Sequence, residues 1–99
     1  MRKYKLSKLA DEDIYQIARY TIQQLGQRQA KRYYDELKKT FELLALSPWI
    51  GRECDWLCEG TRRFEFKKHS IYYILQNDDI FISRVIHQSM DVEVMDFFE

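Results

Sequence analysis

The single proline of the chain, Pro48, separates two stretches whose apolar residues repeat with different periods. Before it the spacing is helical. Ala10, Ile14, Ile17, Ala18, Thr21 and Leu25 recur every three or four residues and so fall on one face of a helix. Ser7 is placed to cap that helix, because its hydroxyl can accept a free amide of the first turn, and Asp11, Glu12 and Asp13 suit the positive helix end. Gly26 follows as a left-handed C-terminal cap. A second set, Ala30, Tyr33, Tyr34, Leu37, Phe41, Leu44 and Ala45, continues to Ser47-Pro48, where proline stops it. That second helix is roughly 18 residues long, about 27 Å at 1.5 Å per residue.

Beyond the proline the pattern changes. After a loop at 49–60, residues 61–66, 70–76 and 80–87 are rich in β-branched and aromatic types, with Lys67-Lys68-His69 and Asn77-Asp78-Asp79 as turns between them. Three strands joined so tightly form an antiparallel meander. Tyr4 and Leu6, alternating with Lys3 and Lys5, add a short N-terminal strand. Two helices with almost nothing between them fold back on each other and cover only one face of such a sheet. The expected fold is α+β: an N-terminal strand, then an antiparallel helical hairpin packed on one face of an antiparallel sheet. Its 99 residues make one domain, 1–99.

Sixteen Lys and Arg balance sixteen Asp and Glu, so no global positive field favours coating nucleic acid or reading its sequence directly. The charge is uneven, however: residues 1–50 carry ten basic against six acidic groups, and residues 51–99 the reverse. No apolar run approaches the roughly 20 residues that span a bilayer. The first residues lack the apolar stretch of a signal peptide, so the cytoplasm is the expected address and no membrane partner is expected. Cys54 and Cys58 are then two free thiols, and with only His69 and His87 as further soft ligands no metal site is expected. Glycine-rich phosphate loops, nucleophile elbows and metal-binding helix motifs are lacking, so neither catalytic residues nor a cofactor are expected.

What remains is surface. On the last strand Ile80, Ile82, Arg84 and Ile86 share one parity, and Phe81, Ser83, Val85 and His87 the other. Arg84 on the aliphatic line requires either that the face opens there or that a carboxylate waits for it. Arg62 and Arg63, with Lys67 and Lys68 in the next turn, make a local basic patch. Apolar residues off the helical stripes, Tyr15, Ile22, Leu43, Leu46, Trp49 and Trp56, exceed what two helices and a sheet can bury, which marks a surface for a protein partner. The competing reading is that the long loop folds over them. The tail, with Val92, Val94, Met95, Phe97 and Phe98 among acids, poses the same choice.

The ordered set Leu6-Ser7, Ala10, Asp13, Ile17 and Tyr20, then Ala30, Leu37, Phe41 and Leu44, then Pro48 with Gly51-Arg52, resembles the front half of the RelE/ParE toxin family. Gly60, Arg62 and Phe64, Ile71 and Tyr73, Ile80, Ile82 and the run Arg84-Val85-Ile86-His87 with Asp91 resemble its ParE branch. The resemblance implies the toxin half of a bacterial type II toxin–antitoxin pair, silenced when a ParD-like antitoxin folds its C-terminal segment over the toxin. For the ParE branch it implies DNA gyrase trapped on cleaved DNA, with no chemistry by the toxin itself. The ribonuclease branch instead cleaves messenger RNA on the ribosome with sheet cations and a C-terminal Arg and Tyr or His. Gln88, Ser89 and Met90 stand where such groups would follow His87, and the acidic tail would repel RNA. A protein-binding module without toxicity is the third reading. On the favoured one, Arg62, Arg63, Lys67, Lys68, Arg84 and His87 are the gyrase-binding candidates, and Tyr15, Ile22, Tyr33, Leu43, Leu46 and Trp49 the antitoxin-binding ones.

Overall fold

Ser7 joins the first strand to the first helix and both to the far end of the chain. Its hydroxyl accepts from the Ala10 amide at 2.9 Å and donates to the Ser83 carbonyl at 2.7 Å, so one side chain caps the helix and ties it to the last strand. The computed structural model describes residues 2–90 and 92–97. Strand β1 (Tyr4–Leu6) leads into α1 (Lys8–Leu25) and α2 (Gln27–Leu46), and a 3-10 turn at Pro48–Ile50 ends the helical part. Then come β2 (Arg52–Glu53), β3 (Arg62–Phe66), β4 (His69–Gln76) and β5 (Asp79–His87), followed by a last 3-10 turn at Val94–Phe97.

One residue separates the helices. Gly26 has φ 89° and ψ 168°, so the positive φ expected of a cap is present but the conformation is the extended one open essentially only to glycine, not the left-handed helical one. Its amide donates to the Ile22 carbonyl and its own carbonyl receives the Ala30 amide, so it closes one helix and opens the next. The second helix consequently starts before Ala30 and runs 20 residues.

The helical stripes and the sheet share one core of Ala10, Ile14, Leu37, Phe41, Leu44, Ala45, Phe66, Ile71, Tyr73, Ile80, Ile82 and Val85. Two stripe residues are exposed instead. Leu25, 67% exposed, is the last residue before the hairpin tip, and Tyr34, 43% exposed, sits on a flank with the Lys38 ammonium 5.7 Å over its ring.

The sheet order is β1-β5-β4-β3-β2. The meander is antiparallel as expected, but β1 pairs with β5 in parallel, Tyr4 opposite Ile80 and Leu6 opposite Ile82, so the sheet is mixed. The long connection through both helices permits this where a tight turn would not. Asn77 and Asp78, both at positive φ, make the two-residue turn between β4 and β5, and Lys67 at φ 54° helps turn β3 into β4.

The parity expected for the last strand holds only to Ile82. Tyr73 lies opposite Ile82 but Tyr72 opposite Arg84, so Ser83 is an extra residue, a β-bulge. Past it the faces exchange. Val85, assigned to the other line, enters the helix-side core, while Ile86 packs on the opposite side. That opposite side is not bare. Cys54, Leu57, Tyr72 and Ile86 form a smaller core there, with Val92 and Phe97 packed against it and the Phe97 ring 5.2 Å from that of Tyr72. The loop supplying Cys54 and Leu57 is held by the Cys54 amide on the Thr61 carbonyl and the Thr61 amide on the Cys58 carbonyl. Cys54 is buried and Cys58 exposed, and they are not bridged. The helices therefore cover one face, as expected, but loop and tail partly cover the other. Asp91, Phe98 and Glu99 of the tail lie outside the described residues. Among those residues no helix is long and apolar enough to cross a membrane.

Candidate functional site

A carboxylate does wait for Arg84. Asp13, one turn into α1, takes the Arg84 Nε at 2.7 Å and Nη2 at 2.8 Å, and its Oδ2 also receives the Val85 amide at 3.0 Å. Arg84 donates its third nitrogen to the Asp96 carbonyl. The fork geometry and limited solvent access make this a strong pair, and the bond to Asp13 raises the Arg84 pKa above its ordinary value. Arg84 directly follows the Ser83 bulge, and the Ser7 hydroxyl at the head of α1 bonds the Ser83 carbonyl beside it.

Arg62 is committed in the same way. Its Nη1 donates to the Gly51 carbonyl at 2.7 Å and its Nη2 to Glu53 at 3.3 Å, which pins the segment after the 3-10 turn to β3. Beneath it the buried Tyr73 hydroxyl donates to the Pro48 carbonyl at 2.6 Å. Gly51 is required by close approach, because a Cβ there would lie 2.1 Å from the Tyr73 hydroxyl. Pro48, Gly51, Arg62 and Tyr73 thus form one lock. Several residues that carry the family resemblance are accounted for by architecture.

The remaining cations gather at the end of the sheet where β3 turns into β4. Lys67 pairs with Glu36 of α2 and stands 5.4 Å over the Tyr33 ring. Arg63 pairs with Glu65 at 3.0 Å, and its pKa is raised chiefly by a hydrogen bond with Tyr72. Lys68 is exposed. His87 lies opposite His69 in the strand register, the rings edge to face at 5.3 Å. The His87 Nδ1 receives the Ser89 amide at 3.1 Å, so this nitrogen is an acceptor. The Tyr33 hydroxyl meets the His69 Nδ1 at 2.6 Å. Burial pushes the Tyr33 hydroxyl up to about 12, with Glu36 adding to it. Burial also lowers the His69 pKa, as does the neighbouring His87, while Asp13 opposes them. Beside this end a shallow depression of about 290 Å³ is lined by Arg63, Tyr72, His87, Gln88, Met90 and Trp56. The six proposed gyrase-binding residues therefore divide: Lys67, Lys68 and His87 are neighbours, Arg63 borders them, and Arg62 and Arg84 are occupied elsewhere.

Of the proposed antitoxin-binding residues, Tyr15, Ile22, Leu43, Leu46 and Trp49 are between 42% and 60% exposed, so the long loop does not cover them. Trp56 is exposed as well. Tyr33 differs. It is half-buried, packed edge-on against Phe66 at 5.1 Å, and its hydroxyl is engaged by His69. The Arg2 guanidinium lies 5.0 Å over the Trp49 ring. Ile50, and Leu25 despite its place on the helical stripe, add to the exposed apolar surface. Asp13 was missed as a partner, although the aliphatic line of Arg84 left an open face or a carboxylate as the two alternatives. Nothing in the sequence indicated the Tyr33–His69 bond.

Comparison with known proteins agrees with this architecture. The family described as "ParE toxin of type II toxin-antitoxin system, parDE" matches residues 4–92. Toxin ParE1 of Mycobacterium tuberculosis (strain H37Rv) is 34% identical over 92 residues, covering 92% of this chain and 94% of that protein. Toxin ParE1 of Caulobacter vibrioides is 36% identical over 91 residues, with the same coverage of each. A solved structure described as a chromosomal ParDE TA system from P. aeruginosa superposes with a TM-score of 0.75, covering 88% of this chain and 96% of that one, at 17% identity. Since the family match takes in both helices and every strand, the chain belongs to the ParE toxins of type II toxin–antitoxin systems.

Proposed function

We propose that this toxin acts in the cytoplasm by stabilising the cleavage complex of DNA gyrase through contact, without catalysis of its own, and that a cognate antitoxin silences it by folding over its exposed apolar residues. The observation that carries the first part is the pairing of four cations on or beside the sheet. Arg84 with Asp13, Arg62 with Glu53, Arg63 with Glu65 and Lys67 with Glu36 are each neutralised by a carboxylate. In-line attack by a ribose hydroxyl needs cations around the phosphate and a positioned base and acid, so paired arginines favour contact over ribonuclease chemistry. The second part rests on Tyr15, Ile22, Leu43, Leu46 and Trp49, which remain in water in the isolated chain. A disordered segment gains its folding energy by burying such side chains. The test adds purified toxin to gyrase and supercoiled plasmid. Linear, protein-linked DNA should accumulate in proportion to toxin. Cleavage of ribosome-bound messenger with gyrase unaffected would instead assign the protein to the ribonuclease branch.

A further inference from the structure

The outward face of α2 carries a set of cations that neither the core nor the sheet uses. Arg28, Arg32 and Lys39 follow one another at spacings of four and seven residues, which brings them to one line on the side away from buried Ala30 and Leu37. Lys31 and Lys38 flank that line. Of the acids on this side, Asp35 is taken by Lys31 at 3.0 Å and Glu36 by Lys67. The Lys67–Glu36 pair also ties the β3–β4 turn, which carries the exposed Lys68, to α2. Arg28, Arg32, Lys38, Lys39 and Lys68 are exposed and make no ion pair with the described residues, and Glu42 is the acid left on the face to oppose them. A chain of zero formal charge therefore bears a strongly cationic strip.

The strip has the chemistry of a phosphate-backbone site. Protein interfaces draw their energy from buried aromatic and apolar anchors and are depleted in lysine, whereas contact with phosphates needs only cations at suitable spacing. Between Arg28 and Lys39 the outward line holds no large apolar residue, and Tyr34 lies at the flank under Lys38. Eleven helical steps give about 16 Å, which along the duplex axis, at about 3.4 Å per phosphate of each strand, spans four or five phosphates. We propose that the outward face of α2, with Lys68, binds the phosphate backbone of duplex DNA without reading its sequence. Gyrase presents such DNA wherever the toxin meets it, but this binding belongs to the toxin alone.

The test is fluorescence anisotropy of the full-length toxin with a 30-base-pair duplex, without gyrase. Three to five phosphate contacts predict an affinity that falls roughly 40- to 500-fold between 50 and 200 mM salt, at a slope of about −0.9 per contact. The triple variant R28Q/R32Q/K39Q, whose glutamines keep helix propensity, should bind at least tenfold more weakly and lose nearly three units of slope. E42Q, which removes the opposing charge, should tighten binding about threefold and serves as a second arm independent of the triple variant's folding. Unchanged slope in the triple variant or no gain in E42Q overturns the proposal. So does polyglutamate that competes at equal charge, which would identify an acidic protein segment as the occupant. Because gyrase is left out, failure here leaves the gyrase reading standing, and intact DNA binding without gyrase poisoning separates the two the other way.

Discussion

Replacing Asp13 by alanine removes three hydrogen bonds at once, two from the Arg84 guanidinium and one from the Val85 amide. Removing one partner of a fully buried pair costs about 3–5 kcal/mol, because the other charge stays behind without compensation. Here the Arg84 and Asp13 side chains are 18% and 16% exposed, so water relieves part of that penalty and the expected loss is about 2–4 kcal/mol. For a domain of this size that lowers Tm by roughly 10–25 °C. Arg84→Met keeps the alkyl packing but leaves the Asp13 carboxylate with only the Val85 amide, at a cost of about 2 kcal/mol. The double variant should be less damaged than the sum of the two by about 1–2 kcal/mol, the signature of a shared interaction. Urea unfolding followed by circular dichroism measures all four corners of the cycle. A loss below about 0.5 kcal/mol for D13A, or additivity of the two changes, would refute the claim that this pair fastens α1 to β5.

Gly51→Ala should destabilise the chain by about 2–5 kcal/mol, since its Cβ would displace the buried Tyr73 ring and break the bond to the Pro48 carbonyl. In that background Tyr73→Phe should recover part of the loss, although alone it costs about 1–2 kcal/mol; calorimetric Tm values showing the same sign in both backgrounds would contradict the close approach. The His69 pKa is depressed in the folded state, so the unfolded chain takes up the proton first and stability falls as pH drops below the ordinary histidine value of about 6.5. Unfolding free energies at pH 7.5 and 5.5 should differ accordingly, and H69Q should flatten the difference; an unchanged slope in H69Q would place the titration elsewhere. Alanine at Tyr15, Ile22 and Leu43 together should weaken the antitoxin complex at least tenfold by calorimetric titration while leaving Tm nearly unchanged, and unaltered affinity would move the antitoxin to another surface.

The helical hairpin was legible because local chemistry dictates it: the Ser7 cap, two periodic stripes, a glycine between them and a proline after. The meander was legible from its turns. The face exchange in β5 was not, because a bulge arises from how two strands meet, and nothing in the run Ile82-Ser83-Arg84 states where pairing slips. For the same reason the sequence left Arg84 with either an open face or an acid, and did not name Asp13, which lies 71 positions away along the chain. The parallel pairing of β1 was likewise hidden, since three residues carry too little pattern to choose a neighbour. Surface residues were read better than their roles. Tyr15, Ile22, Leu43, Leu46 and Trp49 are outward as expected, but Tyr33 serves both a stripe and a polar bond, and helical spacing alone does not distinguish the two uses.

The joint at Gly26 has a mechanical consequence. A linker of several residues would absorb a tug on either helix by changing shape, but one residue fixed at φ 89° and hydrogen-bonded on both sides has no slack to give. The two helices therefore behave as a stiff two-pronged lever, with Leu25 at its far end and Ser7 at its root. Whatever grips the tip loads the Ser7 anchor on Ser83 directly, so force applied far from the sheet arrives at the kink in β5, next to the edge strand β1.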